Sequence, residues 1–164
     1  MLAHLPTAPS ITSSSTSVLI SGSGNVAQYA ALKLIALGAA VLSLSDSKGS
    51  LIATDPSKPF TAADVEAIQA LKAEKGLLSS YKRDGLEFHE GKRPWTLFSK
   101  ADIALPCATQ NEVSAEEAQA LVAAGAKIVA EGSNMVRSRS LSCMTVTDEW
   151  GFFIGLHPGS HRHL

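Results

Sequence analysis

Ser17-Val-Leu-Ile-Ser-Gly-Ser-Gly-Asn-Val-Ala-Gln-Tyr-Ala-Ala-Leu-Lys-Leu-Ile-Ala-Leu-Gly-Ala-Ala-Val-Leu-Ser-Leu-Ser-Asp46 is the stretch from which the fold is read. The apolar run 18–20 stops at Gly22-Ser-Gly-Asn-Val-Ala27, and a helical pattern follows at once with Val26, Ala30, Leu34 and Leu37 on one face. This is the G-x-G-x-x-A form of the dinucleotide fingerprint. Gly22 allows a tight strand-to-helix turn, Gly24 lets a pyrophosphate approach the backbone, and Ala27 lets helix and strand pack closely. Unpaired N–H groups at the helix start then face the phosphates. Gly38 supplies a helix stop, residues 40–44 read as a second buried strand, and Asp46 falls where a ribose-reading acid is expected.

A chain of 164 residues with 45% apolar content has room for one domain with a real core. Its net charge of −1 comes from 14 basic and 15 acidic residues that are interspersed, which argues against a nucleic-acid footprint or a polybasic membrane anchor. A small ligand is expected. Cys107 and Cys143 have neither C-x-x-C nor metal-ligand spacing, so a reducing, cytoplasmic setting is the expectation. No apolar run approaches the length of a membrane span. Residues 1–16, rich in Ala, Pro, Ser and Thr and without periodicity, are read as a disordered leader.

Further along, 50–53 reads as a brief extended piece, and Thr61-Ala-Ala-Asp64 has capping-box spacing ahead of Val65, Ile68 and Leu71. Residues 86–89 suit a short strand and 91–95 a surface loop. Asp102-Ile-Ala-Leu-Pro106 reads as a central strand that ends at a ligand crevice, Ser114-Ala-Glu-Glu117 caps a helix over 115–124, and 127–130 forms one more strand. Repeated βα units imply an α/β fold: a doubly wound parallel sheet, Rossmann-like, with helices on both faces and ligands at the C-terminal strand ends. The dinucleotide-binding domain is placed at 17–135. Residues 136–164 are set apart as a divergent tail, whose His157, His161 and His163 are not read as a metal site.

Taken together, Gly22-Ser-Gly-Asn-Val-Ala-Gln-Tyr-Ala-Ala31, Ser45-Asp-Ser-Lys-Gly49, Arg93-Pro-Trp-Thr96, Asp102-Ile-Ala-Leu-Pro-Cys-Ala-Thr-Gln-Asn-Glu-Val113 and Ala130-Glu-Gly-Ser-Asn-Met135 resemble the coenzyme-binding domain of the glutamate dehydrogenases, in particular the NADP-linked hexameric type of fungi and bacteria. That family interconverts L-glutamate with 2-oxoglutarate and ammonia by passing hydride to C4 of a nicotinamide. The resemblance implies that Gly22, Ser23, Gly24, Asn25 and Val26 sit at the pyrophosphate turn. It implies likewise that Ser45, Asp46, Ser47 and Lys48 surround the adenosine ribose, and that Ala108, Thr109 and Asn134 lie near the nicotinamide half.

An acid at the ribose hydrogen-bonds both hydroxyls and repels a 2′-phosphate, so Asp46 alone points to NAD. Ser47 and Lys48 beside it offer a hydroxyl and a cation suited to a phosphate. In this family the Ser-Asp-Ser-Lys-Gly sequence accompanies NADP, which is therefore the expected coenzyme. Lys72 is read as part of a solvated helix face rather than as a second phosphate cation. Cys107 is read as a packed thiol.

The family's substrate domain is N-terminal and carries the catalytic lysine and aspartate, and too few residues precede Val18 to encode it. No catalytic residue is therefore expected here, and the chain is expected to bind NADP without turnover. The alternative is a non-catalytic nucleotide-binding or assembly module that docks onto a full-length dehydrogenase subunit.

Overall fold

A computed structural model of the chain describes residues 16–109, 112–132 and, as backbone alone, 153–155. The described chain builds one sheet, with strands β1 (Ser17–Ser21), β2 (Ala40–Asp46), β3 (Gly49–Ala53), β4 (Leu86–Glu90), β5 (Ile103–Pro106), β6 (Ile128–Glu131) and β7 (Phe153–Gly155). The helices are α1 (Asn25–Ala36), α2 (Ala62–Ala73) and α3 (Ala115–Ala123), with single 3-10 turns at Leu78–Ser80 and Pro94–Thr96. Across the sheet the order is β4-β3-β2-β1-β5-β6-β7.

The α/β, doubly wound expectation holds, with one difference. Strands β2, β1, β5, β6 and β7 run parallel, whereas β3 is antiparallel to β2, and β4, antiparallel in turn to β3, runs in the same direction as the parallel set. The cause is the two-residue connection at Ser47 and Lys48, too short for a crossover but sufficient for a hairpin. Gly49 follows because a Cβ there would overlap the carbonyl oxygen of His89 on β4.

The central strand β1 is covered on both sides. Val18 and Ile20 of β1 join Ala27, Ala31, Val65 and Ile68 on the α1–α2 face, while Leu19 joins Leu42, Trp95, Ala104 and Leu121 on the α3 face. Alternate residues of one buried strand thus feed two cores. Of the helical stripe expected at Val26, Ala30, Leu34 and Leu37, Leu34 alone is fully packed. Ala27, Gln28, Ala31 and Leu34 meet the sheet, whereas Val26 is 52% and Leu37 38% exposed. Small Ala27 and Ala31 let the helix lie close to β1, and Val26, in the first turn, projects beyond the strand ends.

Two helices start as expected. Thr61 and Asp64 form a complete capping box on α2, and Ser114 and Glu117 form one on α3. The 91–95 segment departs from a surface loop: Pro94 starts a 3-10 turn and Trp95 is fully buried under the sheet.

Ser17 and Asp102 lock the N-terminal ends of β1 and β5. Asp102 Oδ2 accepts both the amide (2.9 Å) and the hydroxyl (2.7 Å) of Ser17. The opposite ends of these strands are left to the loops. Most of the expected leader, and the tail apart from the three β7 residues, lie outside the described residues, as do Asn134 and the three tail histidines.

Candidate functional site

The winding reverses at β1. Its chain leads through α1 to β2 on one side, whereas β5 and β6 continue the sheet on the other, so the C-terminal ends of β1 and β5 part around a crevice. Ser21 pairs with Pro106 at its floor, and Ser21 Oγ accepts the Cys107 amide at 3.2 Å. The glycine turn forms one lip and residues 107–109 the other.

Gly22 has φ +89°, and a Cβ on it would lie 2.9 Å from the carbonyl oxygen of Cys107. Both facts require glycine. Gly24 differs: its φ is −82°, and a Cβ on it would meet nothing within 4 Å. Its lack of a side chain serves open space rather than the chain's own packing. Gly24 is the N-cap of α1, makes no side-chain cap and has no acid in the following turn, unlike the boxed starts of α2 and α3. The positive end of α1 is thereby left open at the crevice, the arrangement that suits a bound phosphate.

The turn is braced from behind. Ser45 Oγ, on β2, accepts the Gly22 amide at 2.9 Å, and Gln28 Nε2 donates to the carbonyl of Ser23 at 2.8 Å. Ser45 is 7% exposed, so within the described structure its hydroxyl serves the glycine turn from its place beside the expected ribose site. Ser23 and Gln28 are buried as well. Gln28 was not singled out from the sequence, although a polar residue among the small apolar residues of a packed helix face was a signal.

Asp46 ends β2, as expected, but its carboxylate is engaged by the chain. Oδ1 accepts the Lys48 amide at 2.9 Å, and Oδ2 accepts Lys72 Nζ at 2.8 Å and the Leu78 amide at 3.1 Å. Burial pushes the carboxyl pKa up, but the Lys72 ammonium and the two amides outweigh it and hold the group below its ordinary value. Lys72 is therefore not merely a solvated helix face: it is partly buried and ion-paired with Asp46. Ser47 and Lys48 occupy the exposed hairpin tip next to this pair.

On the second lip, Ala108 and Thr109 are exposed at the crevice, and the Ala108 amide is held by Glu112 Oε2 at 3.2 Å. Glu112 is itself buried. Cys107 lies beneath them, and a Cβ on Gly132 would come within 2.7 Å of its sulfur and 3.1 Å of Val26 Cγ1. Gly132 thus closes the crevice by backbone approach, with Val26 above it. Burial, and then the Glu112 charge, push the Cys107 thiol up to about 11, so it is a packed thiol and not a nucleophile at neutral pH.

The structure brings Gly22, Ser23, Gly24, Asn25, Val26, Ala108 and Thr109 to one crevice, with Ser45, Asp46, Ser47 and Lys48 at its β2 end. Among the described residues, no group of three or more His, Cys, Asp or Glu side chains is placed to hold a metal, and no helix is long and apolar enough to cross a membrane.

A family model described as Glutamate/Leucine/Phenylalanine/Valine dehydrogenase matches residues 3–140. The chain is 62% identical over 119 residues to the NADP-specific glutamate dehydrogenase of Neurospora crassa, covering 72% of this chain and 26% of that protein. It is 57% identical over 138 residues to the NADP-specific glutamate dehydrogenase of Agaricus bisporus, covering 82% of this chain and 30% of that one. Among solved structures, a glutamate dehydrogenase superposes with TM-score 0.75 at 31% identity, over 85% of this chain and 31% of that chain. Plasmodium falciparum glutamate dehydrogenase superposes with TM-score 0.71 at 34% identity, over 77% and 27% respectively. The chain thus spans under a third of the length of each of these relatives.

Proposed function

The chain belongs to the Glutamate/Leucine/Phenylalanine/Valine dehydrogenase family, and on that footing we propose that it is a coenzyme-binding unit of the glutamate dehydrogenase type that holds NADP in the β1/β5 crevice. The observation that carries the reading is the Gly24 turn. There the chain presents an uncapped helix start with no acid in its first turn, and a glycine with open space where a side chain would stand. A pyrophosphate fits that cradle, because the amides and the helix dipole supply what two negative phosphates need.

Each lip has its part. Gly22, Ser23, Gly24, Asn25 and Val26 bind the pyrophosphate; Asp46, Ser47 and Lys48 take the adenosine ribose, with Ser45 bracing the glycine turn beside them; Ala108, Thr109 and Asn134 orient the nicotinamide. When bound, the coenzyme supplies the hydride donor or acceptor at C4 of its nicotinamide. Asp46, paired with Lys72, presents less negative charge than a free carboxylate, and Ser47 and Lys48 add a hydroxyl and a cation. That balance favours a 2′-phosphate and hence NADP over NAD, in keeping with the NADP-specific names of the fungal relatives.

Hydride transfer requires the substrate to be held in near-attack geometry against the nicotinamide, a positioning effect worth about 7–11 kcal/mol of the barrier. None of the residues assigned to this crevice is a catalytic acid, base or substrate-carboxylate cation. We therefore read the chain as a binder that does not turn over glutamate alone. Thermal unfolding with and without millimolar NADPH tests binding, since a ligand of the native state raises the melting temperature by mass action. An absent shift contradicts the reading, and NADPH oxidation on adding 2-oxoglutarate and ammonium contradicts the lack of turnover.

A further inference from the structure

Resting on the coenzyme reading above, we propose that Glu112 and Arg93 are positioning residues for the nicotinamide half, holding the Ala108 backbone in the form that lines the crevice. Ala108 and Thr109 are exposed at this lip and need something beneath them to fix their path. Glu112 supplies it. Its side chain is only 6% exposed, and Oε2 accepts the Ala108 amide at 3.2 Å. A buried carboxylate is costly unless it is hydrogen-bonded. Among the described residues, this carboxylate is met by that backbone amide at the crevice.

Arg93 anchors Glu112 from the other side. Its Nη1 donates to the Glu112 main-chain carbonyl and also reaches Glu117 Oε2 at 3.2 Å. Glu117 Oε2 in turn accepts the Ser114 amide at 2.8 Å, closing the α3 capping box. Glu112 is not required for that cap, which Ser114 and Glu117 complete by themselves. Its side chain points its hydrogen bond the other way, toward Ala108. Arg93 is followed by Pro94 and the fully buried Trp95, so the relay is footed in the α3-side core. Arg93, Glu112 and the Ala108 backbone are joined here into one support.

The test compares two ligands on the full chain by calorimetry: NADPH, and adenosine 2′,5′-bisphosphate, which carries the phosphorylated ribose but no nicotinamide. Glu112→Ala is expected to weaken NADPH binding about tenfold, the scale of one lost hydrogen bond, while leaving the bisphosphate unchanged. Glu112→Gln keeps an oxygen that accepts the Ala108 N–H and is expected to bind NADPH within about twofold of the parent. Arg93→Ala, at a half-exposed side chain, supplies the same comparison should Glu112→Ala fail to melt cooperatively, with an expected NADPH loss of about threefold. Equal loss of both ligands, or no loss of NADPH, overturns the proposal and leaves the coenzyme reading standing. A parent chain that binds neither ligand overturns both.

Discussion

Lys72 Nζ lies 2.8 Å from Asp46 Oδ2, joining the last turn of α2 to the end of β2. The acid that a ribose site calls for is therefore met by a cation from the chain before any ligand arrives. Its remaining contacts, with the Lys48 and Leu78 amides, make Asp46 the point where the hairpin, α2 and the Leu78–Ser80 turn converge.

Removing the cation should expose the charge. Lys72→Met is expected to lower the ratio of NADPH to NADH affinity by about tenfold, because an unpaired carboxylate beside the 2′-phosphate site repels it. Competitive titration of the two coenzymes gives the ratio, and an unchanged value would contradict this account of coenzyme choice.

The two glycines of the fingerprint should separate folding from binding. Gly22→Ala places a Cβ against the Cys107 carbonyl at a positive φ and should cost at least about 1–3 kcal/mol of stability, read by urea unfolding. Gly24→Ala adds a methyl in open space at an ordinary φ, so the melting temperature should hold within a few degrees while coenzyme binding is lost. Retained NADPH binding in Gly24→Ala would remove the pyrophosphate from this turn.

Ser45→Ala leaves the buried Gly22 amide without its side-chain acceptor and should cost about 1–3 kcal/mol, measured by urea unfolding without ligand. A loss of NADPH affinity with unchanged stability would instead give Ser45 a direct place at the ribose.

The fold should lose stability at both acid and alkaline pH. For Asp46, Asp64 and Asp102, burial raises the carboxyl pKa, but hydrogen bonds and nearby cations outweigh it and the folded value is lowered. Each stabilises the fold above the unfolded carboxylate value of about 3.9, and that stability is lost as pH falls through the folded value. Tyr81, whose hydroxyl donates to Asp64 at 2.7 Å, is raised to about 12 by burial and then by that carboxylate, and Cys107 is raised to about 11. Their contributions are complete below their unfolded values and fade as pH rises toward 11 and 12. The urea midpoint should therefore be flat from about pH 5 to 8 and fall below about 4 and above about 9. A midpoint that rises between about pH 9 and 11 would contradict the alkaline assignment.

What could be read from sequence follows from how local each signal is. The β1–α1–β2 unit was legible because an apolar run, a glycine turn and a helical period fall in one stretch, and the two capping boxes were legible because each is complete within four residues. The antiparallel β2–β3 hairpin was less so, since 49–53 is a short apolar segment with no mark of direction. The packed face of α1 was misjudged because Val26 and Leu37 are larger than Ala27 and Ala31, yet the smaller residues are the ones that permit close contact with the sheet. Trp95 sits between a proline and a threonine in a turn, and only the gap between α3 and the sheet decides that it is buried. The Lys72–Asp46 pair and the Arg93–Glu112 link join residues 26 and 19 positions apart, and no local pattern announces them.

The most direct test is a calorimetric titration of the purified chain with NADPH, repeated with Gly24→Ala. Saturable binding of NADPH by the parent chain, tighter than that of NADH and abolished in the variant, is the predicted result. No heat of binding with the folded parent chain, or equal binding by parent and variant, would contradict a coenzyme site at the β1/β5 crevice.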